Sequence, residues 1–123
     1  MPKILVADDE PNNRDMLGRR LQRRGYEIIF ARDGEEAVAM AASESPDMIL
    51  MDLSMPVLDG WKATAQLKAS PATRAIPVIA FTSHKINAED AIMAGFDGYA
   101  LKPVEFDSLM KQVEALLKPP PEK

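Results

Sequence analysis

The chain has 123 residues and no cysteine, a single histidine, a single tryptophan and two tyrosines. Without cysteine it has no disulfide scaffold, no thiolate metal site and no sulfur nucleophile, a composition at home in a reducing cytosol. With His84 as the lone histidine, neither a histidine metal cluster nor a catalytic triad can be assembled. Long apolar runs are missing too. The longest, Met48–Met51 and Val78–Phe81, are strand-sized and far short of the roughly 18 residues of a membrane span. The segment before Asp8 has too few apolar residues for a signal peptide. Positive charge is in deficit, 15 Lys and Arg against 19 Asp and Glu, so the net charge of −4 repels nucleic acid and anionic membrane. A soluble, cytoplasmic protein is expected, with neither nucleic acid nor membrane as partner.

What is present is one domain's worth of material, 46% hydrophobic, enough for an apolar core without staples. Five short apolar runs recur, at Lys3–Ala7, Tyr26–Ala31, Asp47–Met51, Pro77–Thr82 and Gly98–Leu101, each followed by a turn and a stretch with helical period. Apolar residues at consecutive positions imply strands covered on both faces, as in a parallel sheet between two helical layers. The first helix should begin near Pro11, turn Met16, Leu17 and Leu21 inward and stop before Gly25; Asp33 is a cap for the second, which packs through Ala37, Val38, Met40 and Ala41 and stops before Pro46. The third should run from Gly60 to Ala69 with Trp61, Ala65 and Leu67 apolar, and the fourth from Asn87 to Ala94, ended by Gly95. Phe106, Leu109, Met110, Val113, Leu116 and Leu117 repeat at helical spacing and define the fifth. The domain is expected over residues 1–118, with a Pro-rich tail at 119–123 and no output domain.

Acids stand at strand ends. Asp8, Asp9 and Glu10 follow the first strand and Asp52 follows the third. In a doubly wound sheet of order 2-1-3-4-5 the winding reverses between strands one and three, and ligands bind in the crevice there. Carboxylates on neighbouring strands about 5 Å apart repel by about 3 kcal/mol at a dielectric near 20. Such a cluster must take up protons, a cation or a basic side chain, and an all-oxygen set favours Mg2+, which keeps waters and shares phosphate. Thr82 at the end of strand four and Lys102 at the end of strand five supply a hydroxyl and an ammonium. Together these are the parts of a phosphoryl-transfer site: Asp52 as nucleophile, a metal held by Asp8 and Asp9, and Thr82 and Lys102 on the transferred group.

Asp8-Asp9, Met51-Asp52-Leu53-Ser54-Met55-Pro56 with Asp59-Gly60, Thr82-Ser83, Tyr99 and Lys102-Pro103 follow in order along nearly the whole chain. This set resembles the bacterial response regulator receiver domain, of the stand-alone type. The resemblance implies a flavodoxin-like five-stranded fold with five helices and phosphorylation of Asp52 by a histidine kinase or histidine phosphotransferase. It implies Mg2+, with Mn2+ able to substitute, bound by Asp9 directly, Asp8 through water, Asp52, and Ser54 through its backbone carbonyl. Thr82 and Lys102 would hold the phosphoryl group, Tyr99 would be a switch turning inward as Thr82 moves, and Lys102-Pro103 would be a cis peptide. The module would be monomeric when unphosphorylated, not a metabolic enzyme beyond weak self-phosphorylation and autodephosphorylation, and would signal to a separate protein through helix four, strand five and helix five. Ser54 and His84 occupy positions tied in that family to phosphoryl lifetime.

Other readings stay open. Asp8 and Asp9 alone would serve as a solvated helix cap, Tyr99 as a half-buried strand aromatic and His84 as an exposed loop residue. Arg14, Arg19, Arg20, Arg23 and Arg24 form either a solvated face of helix one or a docking face for an acidic partner helix. An Mg-dependent aspartate-nucleophile phosphohydrolase would place its nucleophile after strand one with a second acid two residues on, and Asp8 and Glu10 have that spacing. An FMN binder of the same strand order needs a neutral phosphate loop where this chain has three acids.

Overall fold

The computed structural model describes residues 2–82, 87–102 and 105–117. In chain order the elements are β1 (Lys3–Ala7), α1 (Pro11–Arg23), β2 (Glu27–Ala31), α2 (Gly34–Glu44), β3 (Met48–Asp52), α3 (Gly60–Ala69), β4 (Val78–Thr82), α4 (Ala88–Ala94), β5 (Gly98–Leu101) and α5 (Phe106–Leu117). The five strands form one parallel sheet in the order β2-β1-β3-β4-β5. This is the doubly wound architecture expected from the alternating runs.

The sheet separates two apolar layers because successive strand side chains point to opposite faces. Ile4, Val6, Met48, Leu50, Ile79 and Phe81 meet Leu17 and Leu21 of α1 and Leu109, Met110 and Val113 of α5. Leu5, Ala7, Ile49, Met51, Val78 and Ala80 meet Ala37 and Ala41 of α2, Ala63 and Leu67 of α3 and Ala91 of α4. Every residue of β3 and β4 is buried, so a truncation such as Leu50→Ala would cost about 2–5 kcal/mol. These two strands end in Asp52 and Thr82, two of the residues the site depends on.

Three strands start one residue later than the sequence expectation, each for a local reason, and β3 also ends one residue later. The Tyr26 N–H donates to Leu21 O at the exit of α1 instead of joining a ladder. Asp47 is held outside β3 by Lys3, its N–H donating to Lys3 O (2.7 Å) and its carboxylate accepting from the Lys3 N–H (2.7 Å). Pro77 has no N–H to give to the sheet. Asp52, expected just after β3, is its last residue, because it still pairs with Phe81 of β4.

Helix ends follow their caps. Asp33 Oδ1 accepts from the Glu36 N–H (2.8 Å), Asp59 Oδ1 from the Lys62 N–H (2.9 Å) and Asn87 Oδ1 from the Glu89 N–H (2.7 Å). Gly95, at φ 98°, ends α4 in the left-handed region. Met16, expected to face inward, is 48% exposed; the buried stripe of α1 is Leu17, Gly18 and Leu21. In α3 the buried face is Ala63, Thr64 and Leu67, with Trp61 partly covered and edge-on to Phe96 at 5.3 Å, while Ala65 is exposed. The expected Pro-rich tail lies outside the described residues.

Candidate functional site

The site forms where the sheet reverses direction. β1 pairs with β3 on one side and β2 on the other, so the loops leaving β1 and β3 part to opposite faces and open a crevice at the carboxyl ends of these strands. Asp8 follows β1 and is fully buried, Asp52 ends β3 at 2% exposure, and Asp9 is exposed at the rim. Oxygens of these three carboxylates lie within 4.8 Å of one another.

Asp8 is fixed from four sides. Its N–H donates to Ala31 O (3.0 Å), its carbonyl accepts from Arg14 (2.8 Å), its Oδ1 accepts from the Glu10 N–H (2.9 Å), and its Oδ2 faces the Lys102 ammonium at 3.7 Å. That Oδ2 is buried and has no hydrogen-bond partner among the described residues. The Glu10 carboxylate turns away from the cluster and caps α1, accepting from the Asn12 N–H at 3.2 Å. Asp8 and Asp9 are therefore not the helix cap.

Asp52 shares the same ammonium, with Lys102 Nζ 3.4 Å from its Oδ1, and that oxygen also accepts weakly from the Ser54 N–H at 3.3 Å. Its carboxyl is pushed up to about 6, first by burial and then by the charge of Asp8, while Lys102 and the Ser54 N–H pull it back. Thr82 is buried at the end of β4, and its carbonyl accepts the Lys102 N–H at 2.7 Å. This bond extends the β4–β5 pairing past Leu101 and brings the lysine to the acids. The ammonium also lies over the Phe81 ring, 5.1 Å from its centroid.

The loop after Asp52 is held by close backbone approach. Gly60 donates its N–H to Leu53 O (3.1 Å), and a Cβ at Gly60 would collide with the Asp52 carbonyl oxygen. Asp59-Gly60 in the sequence thus serves two ends, a cap for α3 and a seat for the strand that carries Asp52.

The Lys102 ammonium reaches two of the three carboxylates, Asp8 and Asp52, leaving an excess of negative charge that a divalent cation would offset. An oxygen-only donor set, a buried Asp8 oxygen without a hydrogen-bond partner and an open rim at Asp9 fit a hard ion that keeps water and shares a further oxygen ligand.

Asp8, Asp9, Asp52, Thr82 and Lys102 thus gather at the carboxyl edge of the sheet. Tyr99 does not join them: it lies in β5, 38% exposed, its carbonyl accepting from Gln112 at 3.1 Å. Ser83, His84 and Pro103, and with Pro103 the expected cis peptide, lie outside the described residues. Reading the sequence as a helix face grouped Arg14 with four other arginines, yet its guanidinium reaches back to the acid turn. The signal was available: a cation in the first turn of a helix opposes the helix dipole and needs a specific partner. Of the others, Arg20 and Arg24 stack on Phe106 at 5.1 and 5.3 Å, and Arg19 pairs with Asp15.

Known proteins resemble this chain in sequence and fold. The chain is 38% identical over 120 residues to protein PilH of Pseudomonas aeruginosa, covering 95% of this chain and 98% of that one. The transcriptional regulator RpaA of Synechocystis is 34% identical over 123 residues, and there the match spans 50% of the relative's length. The response regulator TrrA of Thermotoga maritima, solved in complex with Mg2+-BeF, has a TM-score of 0.86 and 34% identity, covering 95% of this chain and 100% of that one. The model of the response regulator receiver domain matches residues 4–114, a span that holds every acid, hydroxyl and ammonium described above. The chain belongs to that family, the CheY-like receiver domains of two-component signalling.

Proposed function

We propose that the chain accepts a phosphoryl group on Asp52 from a histidine kinase or histidine phosphotransferase and passes the signal to a separate protein. The observation that carries this reading is the state of Asp52: a carboxylate buried at a strand end, held between Lys102 and Asp8, and raised to about 6. Near neutral pH most of it is ionised and nucleophilic. Its burial and its crowding by Asp8 are relieved when the charge is moved outward onto a phosphoryl group.

In the transfer an Asp52 oxygen attacks the phosphorus of a phosphoimidazole. The P–O bond forms as the P–N bond breaks, and the departing imidazole takes a proton from solvent. Lys102 holds the phosphoryl oxygens by charge-assisted hydrogen bonds, and the Thr82 hydroxyl assists. Asp8, Asp9, Asp52 and the Ser54 carbonyl would hold Mg2+, or Mn2+ in its place. Bound there, the ion neutralises charge on the transferred group. That TrrA, alike in fold and 34% identical, was solved in complex with Mg2+-BeF supports this assignment.

Phosphorylation would draw Thr82 toward the new oxygens, and Tyr99 would turn inward behind it. The surface that reads out this change is α4 with β5, where Ile92, Met93, Tyr99 and Leu101 are exposed apolar residues. Self-phosphorylation and autodephosphorylation would be weak, the unphosphorylated form monomeric, and the setting cytoplasmic. Against the phosphohydrolase alternative stands the Glu10 carboxylate, its second acid, which turns to cap α1.

The test is the intact mass after incubation with acetyl phosphate, in Mg2+ and in EDTA. One phosphoryl adduct that requires Mg2+ is expected; rapid catalytic turnover of generic phosphate esters without an adduct would contradict the reading.

A further inference from the structure

We propose that Arg14 is a positioning residue for the metal-binding limb of the site, fixing the Asp8-Asp9 peptide so that the Asp9 carboxylate points to the cluster. This rests on the phosphoacceptor reading above and specifies how its acid turn is held. Asp9 is exposed, and no hydrogen bond or ion pair holds its side chain among the described residues. Through its backbone the fold therefore constrains only where its Cα–Cβ bond points, and the carboxylate reaches the cluster from there. Three bonds close a ring around that backbone: Glu10 N–H to Asp8 Oδ1 (2.9 Å), Arg14 N–H to Glu10 O (3.1 Å) and Arg14 guanidinium to Asp8 O (2.8 Å). The last is the only one made by a side chain reaching from the helix body, and it grips the carbonyl of the peptide that joins Asp8 to Asp9. β1 ends at Ala7, so this carbonyl lies beyond the strand. The bond is charge-assisted and partly buried, which makes it the strongest restraint on the plane of that peptide. Tilting the peptide would swing the Asp9 side chain while leaving Asp8, anchored separately through its N–H and Oδ1, in place.

The sign of the effect separates this role from the obvious alternative. As a mere positive charge near three carboxylates, Arg14 would weaken cation binding, and its removal would tighten it. As a positioning residue its removal weakens binding, as loss of a group that orients metal ligands does, on the order of tenfold or more. The experiment is calorimetric titration of the full chain with Mg2+ alone, for wild type, Arg14→Met and Arg14→Lys, with urea unfolding as a check on folding. The expected result is an Mg2+ Kd raised about tenfold in Arg14→Met and less in Arg14→Lys, which keeps a donor but not the planar fork. The phosphorylation rate from acetyl phosphate should fall in the same proportion at low Mg2+ and return to within about twofold of wild type at saturating Mg2+. An unchanged or lower Kd in Arg14→Met overturns the inference, as does a rate that stays low at saturating Mg2+. If Arg14→Met does not fold, Arg14→Lys decides alone, and an unchanged Kd there overturns it. Absence of Mg2+ binding by the wild type would remove the metal from the phosphoacceptor reading itself and the inference with it.

Discussion

Lys102 Nζ lies 3.4 Å from Asp52 Oδ1, and the two residues reach this pairing from different strands. Asp52 ends β3, Lys102 follows β5, and β4 lies between them with its Thr82 carbonyl accepting the Lys102 N–H. The ammonium spans that gap to serve a carboxylate that burial and Asp8 both work against. The phosphoryl transfer proposed for Asp52 would relieve part of that strain by moving the charge outward.

Replacing Asp52 by Asn should therefore stabilise the fold. The folded carboxyl sits near 6 against an ordinary 3.8, so the stability contributed by its proton is fully present below about 3.8 and is lost as pH rises through 6. At pH 7.5 the wild type bears the whole penalty, and Asp52→Asn should gain up to about 3 kcal/mol. The gain should shrink markedly by pH 4.5. Urea midpoints at the two pH values measure it; an equal effect at both would contradict the raised carboxyl.

Removal of Lys102 should act in the opposite sense. Lys102→Met leaves Asp8 and Asp52 without their shared ammonium, pushes Asp52 higher still, and costs about 2 kcal/mol at neutral pH. The loss should be smaller at pH 5, where Asp52 is largely protonated, and added Mg2+ should recover part of it. Thermal unfolding with and without Mg2+ reads both effects.

Gly60→Ala tests the seat of the strand. Its Cβ would meet the Asp52 carbonyl oxygen, a backbone atom that cannot swing aside as a side chain would. A loss of about 1–3 kcal/mol is expected, with slower phosphorylation because Asp52 must shift. A variant with wild-type urea midpoint and rate would show that the loop yields freely.

Glu10→Ala separates the two carboxylate chemistries. The Glu10 side chain caps α1, so its removal should cost about 1 kcal/mol and leave the yield of phosphorylated protein unchanged. A phosphohydrolase using Glu10 as its second acid would lose its activity in the same variant.

Much of this was legible in the sequence because the central strands are buried on both faces and therefore read as unbroken apolar runs. The five recurring runs sufficed for the sheet, and acids at the ends of the first and third located the crevice. Strand ends were less legible, since Tyr26, Asp47 and Pro77 continue the pattern of residue types while Tyr26 bonds back to α1, Asp47 is tied to Lys3 by backbone and carboxylate, and Pro77 offers the sheet a carbonyl but no N–H. Met16 was misplaced because helical spacing marks a face and not its width; Leu17, one residue on, takes the core position while Met16 stands at the edge. Arg14 shows a further limit. Its place in the first turn of α1, against the helix dipole, signals that it needs a partner, but that partner is a backbone carbonyl, which residue types do not identify.

The measurement that tests the central claim most directly is the position of the phosphoryl group. After reaction with acetyl phosphate and Mg2+, borohydride reduction converts an aspartyl phosphate to homoserine, which peptide mass mapping can locate. The account predicts homoserine at position 52 in the wild type and none in Asp52→Asn. Homoserine at position 8, or an adduct that persists in Asp52→Asn, would contradict it.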